Sequence, residues 1–222
     1  MPTAWSYSSL STFKQCPKKY YHLKVAKDVK DKGSLAMSYG NELHKAAELH
    51  IKNGEEIPKK FDFITKMLTS LKNIPGEKHC ELKYGLTYDG TDLGPCKFFD
   101  KDVWWRGIAD LVIVDGEKAY LIDYKTGKNA KYADTAQLDA LAAATFTHFP
   151  EVNTIKSALI YVVSNEFIRK EHSRELLNSY FAGFHPDLER LRVAEESGVW
   201  NAVSTPLCGW CPVTKCEHHK ER

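Results

Sequence analysis

Two aspartates and a lysine stand inside a stretch that is otherwise apolar and β-branched: Asp110, Asp123 and Lys125 in DLVIVDGEKAYLIDYKTGK, residues 110–128. Such a stretch reads as two strands around a tight turn, and strand side chains alternate between two faces. With Gly116-Glu117 as the loop, Asp110 falls opposite Asp123; with Asp115-Gly116 the pairing shifts by two. Either register puts Asp110, Asp123 and Lys125 on one face, and Ala109, Leu111, Ile113, Ile122 and Tyr124 on the other. Two carboxylates converging in a low dielectric repel, and a divalent cation between them with a lysine nearby relieves that cost. Oxygen donors of this kind favour Mg²⁺ or Mn²⁺. The bland reading of the same residues is two strand ends with a solvated lysine. Glu81, on the preceding strand, could orient an attacking water, and an exposed strand glutamate explains it equally well.

Thiols form the second constellation. LCGWCPVTKCEHH carries Cys208, Cys211 and Cys216 in a C-x₂-C-x₄-C pattern. A closed four-coordinate site needs one more donor, which Cys16 in FKQCPKKYY offers. His218 and His219 follow directly and could instead complete a Cys₃His zinc site without Cys16. Cys80 and Cys96 fit no ligand spacing and read as packed thiols.

The elements that must position these residues follow from period and punctuation. Tyr7 to about Val25 reads as helix with Ser8 or Ser9 as N-cap, Tyr39 to Ile51 as a second helix and Phe61 to Leu71 as a third. Strands are expected over 81–88, 103–114, 119–126 and 155–163, an alanine-rich helix over 134–148, and a long final helix from Ser173 to about Ser197. This is a single α/β unit with a mixed sheet. One domain, 1–222, is expected from length: a helical part to residue 75, a sheet core over 76–170, and a C-terminal helix with the cysteines over 171–222.

Composition is that of an ordinary globular chain, 43% hydrophobic and 12% aromatic. The formal net charge of +2 conceals a lysine-rich N-terminal segment, Lys14, Lys18, Lys19, Lys24, Lys27, Lys30 and Lys32. That suits a polyanion, although a solvated face is the commoner reading. No apolar run reaches membrane-span length and no signal-peptide order opens the chain, so a cytoplasmic location is expected. In a reducing compartment the cysteines point to metal or reactive roles before disulfides.

Gly107-Ile-Ala-Asp110 on one strand and Asp123-Tyr-Lys125-Thr-Gly on the next resemble the PD-(D/E)XK nucleases, in particular their RecB-like branch. YGNELHKAAE resembles that branch's early helix with its histidine, His44, and AQLDAL its glutamine motif at Gln137. Where the family commonly has a tyrosine four residues after the glutamine, this chain has Leu141. The resemblance implies a restriction-endonuclease-like core, a central mixed sheet flanked by helices. It implies metal held by His44, Asp110, Asp123 and the Tyr124 carbonyl, with Asp110, Asp123, Lys125 and Gln137 catalytic. Gln137 also has a local reading, since Asp134-Thr-Ala-Gln137 fits a capping box. Cys16 before Pro-Lys-Lys-Tyr-Tyr, with three cysteines at the C-terminus, resembles the iron–sulfur staple of CRISPR-associated RecB-like nucleases and the AddB subunit. In those families a 4Fe–4S cluster ties the chain ends; here the last gap is one residue shorter than the commonest form.

The function implied is metal-dependent hydrolysis of DNA, as an exonuclease in recombination, repair or phage DNA processing. The alternatives are CRISPR-associated trimming and a non-catalytic, cluster-stabilised DNA-binding subunit. Single-stranded DNA or DNA ends are the expected partner, with Tyr20, Tyr21, Trp104 and Trp105 as candidate stacking residues. No G-x-x-x-x-G-K-S/T is present, so unwinding would need a helicase or recombination partner.

Overall fold

The structure is a computed structural model describing residues 4–31, 33–131 and 133–220; Lys32 of the N-terminal lysine group lies outside them. In chain order the elements are α1 (Tyr7–Gln15), α2 (Pro17–Tyr20), α3 (Leu35–Asn53), α4 (Thr65–Lys72), β1 (Glu77–Tyr88), β2 (Leu93–Cys96), β3 (Trp105–Asp115), β4 (Lys118–Lys125), α5 (Ala136–His148), β5 (Thr154–Tyr161), β6 (Glu166–Ser173) and α6 (His185–Ser197). Among the described residues no helix is long and apolar enough to cross a membrane.

The chain divides into two compact units, Ser34–Ala182 and a second built from both chain ends, Met1–Gly33 with Gly183–Arg222. The larger unit holds one six-stranded sheet in the order β2-β1-β3-β4-β5-β6. All neighbours are antiparallel except β4 and β5, which run parallel because α5 carries the chain between them. This is the α/β architecture with a mixed central sheet that the sequence implied. The β3–β4 hairpin closes on Gly116-Glu117, with Asp115 paired to Lys118 and Gly116 at φ 57°. Helix α3 starts at a Ser34 N-cap and stops at Gly54, φ 74°, where a left-handed C-cap favours glycine. Its buried Leu43, Ala46, Ala47 and Ile51 pack on Leu111, Ile113, Ile122 and Tyr124, the strand face expected to be apolar. Burial of this kind contributes about 25 cal/mol per Å². Ala109, assigned to the same face, is buried outside that cluster.

In the terminal unit the expected Tyr7–Val25 helix is broken. Pro17 cannot continue α1, because it lacks the N–H an interior turn needs, and Cys16 is extended at φ −165°. The cap is Ser6, which exchanges hydrogen bonds with Ser9 in a capping box. The helix expected from Ser173 to about Ser197 is also shorter: Ser173 ends strand β6, short 3-10 turns occupy 174–179 and 182–184, and α6 begins only at His185 with Pro186 in its first turn. Strand β2 was likewise unforeseen, because Leu-Gly-Pro-Cys has neither strand length nor strand propensity and pairs only as an edge.

Candidate active site

His44 follows the buried Leu43 on α3, at the margin of the helix's apolar stripe, and this aims its ring at the sheet. Its Nε2 lies 3.1 Å from the Tyr124 carbonyl oxygen and its Nδ1 lies 3.2 Å from Asp110 Oδ1. Both partners are acceptors, so the ring must donate from both nitrogens to satisfy them. Burial opposes that charge, but the bond to Asp110 and the charges of Asp110, Asp123 and Glu81 outweigh it and raise the His44 pKa. Asp110 Oδ2 accepts the Tyr124 N–H at 2.7 Å, so the carboxylate fills the backbone slot where the β3–β4 ladder has ended at Leu111↔Ile122.

Asp123 and Lys125 meet a different helix. Gln137, in the first turn of α5, donates from Nε2 to Asp123 Oδ1 at 2.7 Å and accepts from Lys125 Nζ at 2.8 Å. Lys125 Nζ is 2.7 Å from Asp123 Oδ2, a close ion pair, yet that buried oxygen has no aligned hydrogen-bond donor. Asp123 is 3% exposed, and burial first, then the Asp110 charge, pushes its pKa up to about 6. The capping-box reading of Gln137 does not hold: the Ala136 N–H is taken by Asp134 Oδ1, and Gln137 faces the carboxylate and the lysine. Helix α5 is anchored for this task by a Thr145–Tyr84 hydroxyl bond, a His148–Gly85 carbonyl bond and the Lys170–Asp139 ion pair. Leu141 is buried.

The arrangement departs from simple alternation. His79 stacks on Phe149 at the end of α5 and Tyr84 bonds Thr145 within it, although positions 79 and 84 have opposite parity. Cys80 packs with the α3 cluster. Alternation is therefore broken between Cys80 and Tyr84, and Glu81 there has φ 51°, an uncommon left-handed backbone for a residue other than glycine, asparagine or aspartate. The β1–β3 register does not slip, running from Cys80↔Leu111 to Leu82↔Ala109, so Glu81 confronts Asp110 across the unpaired step. Strand β3 changes sides over the same span. This is why Asp110 turns to His44 and α3 while Asp123 turns to Gln137 and α5. Nothing in the sequence around Glu81, neither glycine nor proline, signals the break.

His44, Glu81 and Asp110 each offer a ligand atom within 4.8 Å of the others. Ligands around an octahedral Mg²⁺ at 2.0–2.1 Å stand about 3 to 4 Å apart, so small movements suffice. The Tyr124 carbonyl is beside this set, whereas Asp123 is outside the three-residue group. The same crowding raises the Glu81 pKa, burial first and the Asp110 charge second. The donor set, one imidazole nitrogen with two carboxylate oxygens, fits a hard divalent cation.

Cys16, Cys208, Cys211 and Cys216 lie in the terminal unit as free, partly buried thiols. The Val203 N–H points to Cys16 Sγ at 3.5 Å, and Cys208 Sγ reaches the Val203 carbonyl at 3.8 Å. Cys216 Sγ lies 3.5 Å from Glu217, which is ion-paired with Lys18, two residues past Cys16. Among the described residues no three of these sulfurs come within 4.8 Å of one another, so the thiols are gathered without being closed into a site. Cys80 packs against the α3 cluster, and burial raises its thiol to about 11.

No curated protein matches the chain by sequence. Among solved structures it resembles SSO0001 at 12% identity and a TM-score of 0.50, over 99% of this chain and 89% of that one. It also resembles a protein from Eubacterium rectale named "Putative exonuclease", at 12% identity and a TM-score of 0.53, over 99% and 90% of the respective chains. At that identity the likeness is one of fold. The sequence model of the PD-(D/E)XK nuclease superfamily matches residues 4–73 and 77–216, and the chain belongs to that superfamily.

Proposed function

We propose that this nuclease is a Mg²⁺- or Mn²⁺-dependent deoxyribonuclease that degrades DNA from an end. The observation that most supports the reading is the pairing of a three-donor set, His44, Glu81 and Asp110, with the Asp123–Lys125–Gln137 triad. A divalent cation, when bound, supplies positive charge to the scissile phosphate and acidifies water. His44, on releasing a ring proton, and Asp110 would hold it, with Glu81 and the Tyr124 carbonyl completing the donors. Asp123 pairs with the Lys125 ammonium and orients it, and Gln137 fixes both groups from α5. Lys125 then positions the attacking water or neutralises charge that develops on the phosphoryl oxygens. Intact Asp110, Asp123 and Lys125 favour an enzyme over a non-catalytic subunit, and the name of the Eubacterium rectale protein favours exonuclease action. Both compact units serve one nuclease domain, as the family match runs across them.

The decisive assay follows end-labelled single- and double-stranded DNA with and without Mn²⁺. Stepwise loss from an end that stops with chelator is expected. No cleavage of either substrate in Mn²⁺ refutes the enzyme; internal cuts in a closed circle refute the exonuclease.

For the terminal unit we infer a structural staple in which Cys16, Cys208, Cys211 and Cys216 hold a 4Fe–4S cluster, joining residues near both chain ends. Zinc is a second reading favoured by one observation: the buried Nδ1 of His219 has no partner among the described residues. Iron and zinc analysis of anaerobically purified protein separates them, and an undiminished melting temperature in Cys16→Ser removes Cys16 from either staple.

A further inference from the structure

The sheet surface beyond the break at Glu81 is open, basic and aromatic. Strands β1 and β3 stay paired through Lys83↔Ile108 and Gly85↔Arg106, so these four residues share one face. It is the face opposite Tyr84, and so the side on which His44 meets Asp110. Helix α3 covers the sheet at Leu111 and Ile113 but leaves Ile108 39% exposed. Arg106 is four residues before Asp110 on the same strand, roughly 13 Å away at the strand rise.

At the far end of this row stands a pair of phenylalanines. A Cβ on Gly85 would lie 2.6 Å from the Lys97 carbonyl oxygen, so the chain leaving β2 presses on β1 there. The following turn is closed by the Asp100 N–H on the Lys97 carbonyl at 3.0 Å and by the Lys97 N–H on Asp100 Oδ2 at 2.7 Å. It presents Phe98 and Phe99, rings 4.9 Å apart and nearly perpendicular. The Arg106 guanidinium lies 5.8 Å from the first ring and 5.9 Å from the second, and Lys83 Nζ 5.9 Å from the first. Arg106 Nε has no hydrogen-bond partner among the described residues. Phe99 is 77% exposed. An open pocket of ≈ 630 Å³ beside the pair is lined by Lys83, Lys97, Phe98 and His148 among others.

Core packing does not account for Phe99, and the acids at hand, Asp100 and Asp102, are fewer than the cations Lys83, Lys97, Lys101 and Arg106. Positive charge interleaved with a free aromatic face is the chemistry that grips an unpaired strand, the phosphates on the cations and a base on the ring. A duplex keeps its base faces stacked internally and offers Phe99 nothing. By contrast, the aromatics singled out from the sequence are occupied: Tyr20 stacks on Trp200, Trp104 packs on Tyr88 and Phe181, and Trp105 is 1% exposed.

We propose that the Lys83–Ile108–Arg106 row and the Phe98–Phe99 pair form a track for single-stranded DNA leading to the carboxylates, with an unpaired base stacked on Phe99. The proposal rests on the nuclease reading for the polarity of the track, and its test does not. Binding of a fluorescent oligothymidylate and of a matched duplex is measured in chelator, where no cleavage occurs, over a range of salt. Phe99→Ala should weaken single-strand binding about five- to 150-fold, the range given by loss of one base–aromatic stack, and leave duplex binding unchanged. Phe99→Tyr should retain it. Lys83→Ala and Arg106→Ala should each lower the slope of log K against log salt by about 0.7. Unaltered single-strand affinity in Phe99→Ala, or an equal loss for duplex, overturns the track, as does tighter binding of the matching oligouridylate. A track that binds as expected in a protein that fails to cleave in Mn²⁺ leaves this proposal standing and removes the nuclease reading; the converse separates them the other way.

Discussion

Replacing Asp123 with asparagine should inactivate the enzyme and, without metal, stabilise the fold. The carboxylate is 3% exposed and its pKa is raised from 3.8 to about 6, by burial first and by Asp110 second. A raised carboxylate pKa means that the folded state disfavours the ionised form. The cost is absent below about pH 4, where the group is protonated folded or unfolded, and grows as pH rises to the folded pKa and a little beyond. The shift corresponds to about 3 kcal/mol at neutral pH. That figure already includes the Lys125 ion pair, and it corresponds to roughly 6–12 °C in melting temperature for a chain of this size. Thermal denaturation of wild type and Asp123→Asn in chelator should therefore diverge near pH 7.5, with the variant higher, and converge near pH 4. Excess Mn²⁺ should raise the wild type more than the variant, because the cation relieves the repulsion that asparagine has already removed. A variant no more stable than wild type near pH 7.5 in chelator, or an advantage that grows on acidification, refutes the reasoning.

Lys125→Ala should lose activity by orders of magnitude while binding Mn²⁺ with near-normal affinity by calorimetry, since Lys125 contacts Asp123 and Gln137 and lies outside the donor set. His44→Ala should weaken Mn²⁺ binding and lose much of its activity in Mg²⁺, with partial recovery in excess Mn²⁺, which binds such sites more tightly; unchanged titration would reduce His44 to a packing role. Glu81→Gly should melt no lower than wild type in chelator, because glycine relieves the cost of about 1 kcal/mol at φ 51°, while Glu81→Val should melt several degrees lower. Both should bind Mn²⁺ less tightly by calorimetry.

The hairpin was legible because its determinants are local. Asp115-Gly116 calls for a turn and the β-branched runs beside it for strands; two registers stayed open in the sequence, and the fold takes the one with Gly116-Glu117 as the loop, in which Asp115 pairs Lys118. His44 and Gln137 came from family resemblance and from helices whose own patterns announced them. The Asp110–Asp123 relation was only half visible. Parity assumes that side chains alternate without interruption, and the break at Glu81 is not encoded by any turn-forming residue. It exists because β1 and β3 must bury Cys80 and Leu111 under α3, then Tyr84 and Leu86 under α5, and one strand pair can serve two helices on opposite faces only by changing sides. Tertiary packing thus decided that Glu81 joins the donor set, that Asp123 answers to Gln137, and that Phe99 is left exposed while Trp105 is buried. Strand β6 shows the same limit: EFIRKEHS is too charged to announce itself as a strand, and edge pairing with β5 holds it extended, because an edge strand needs no buried outer neighbour.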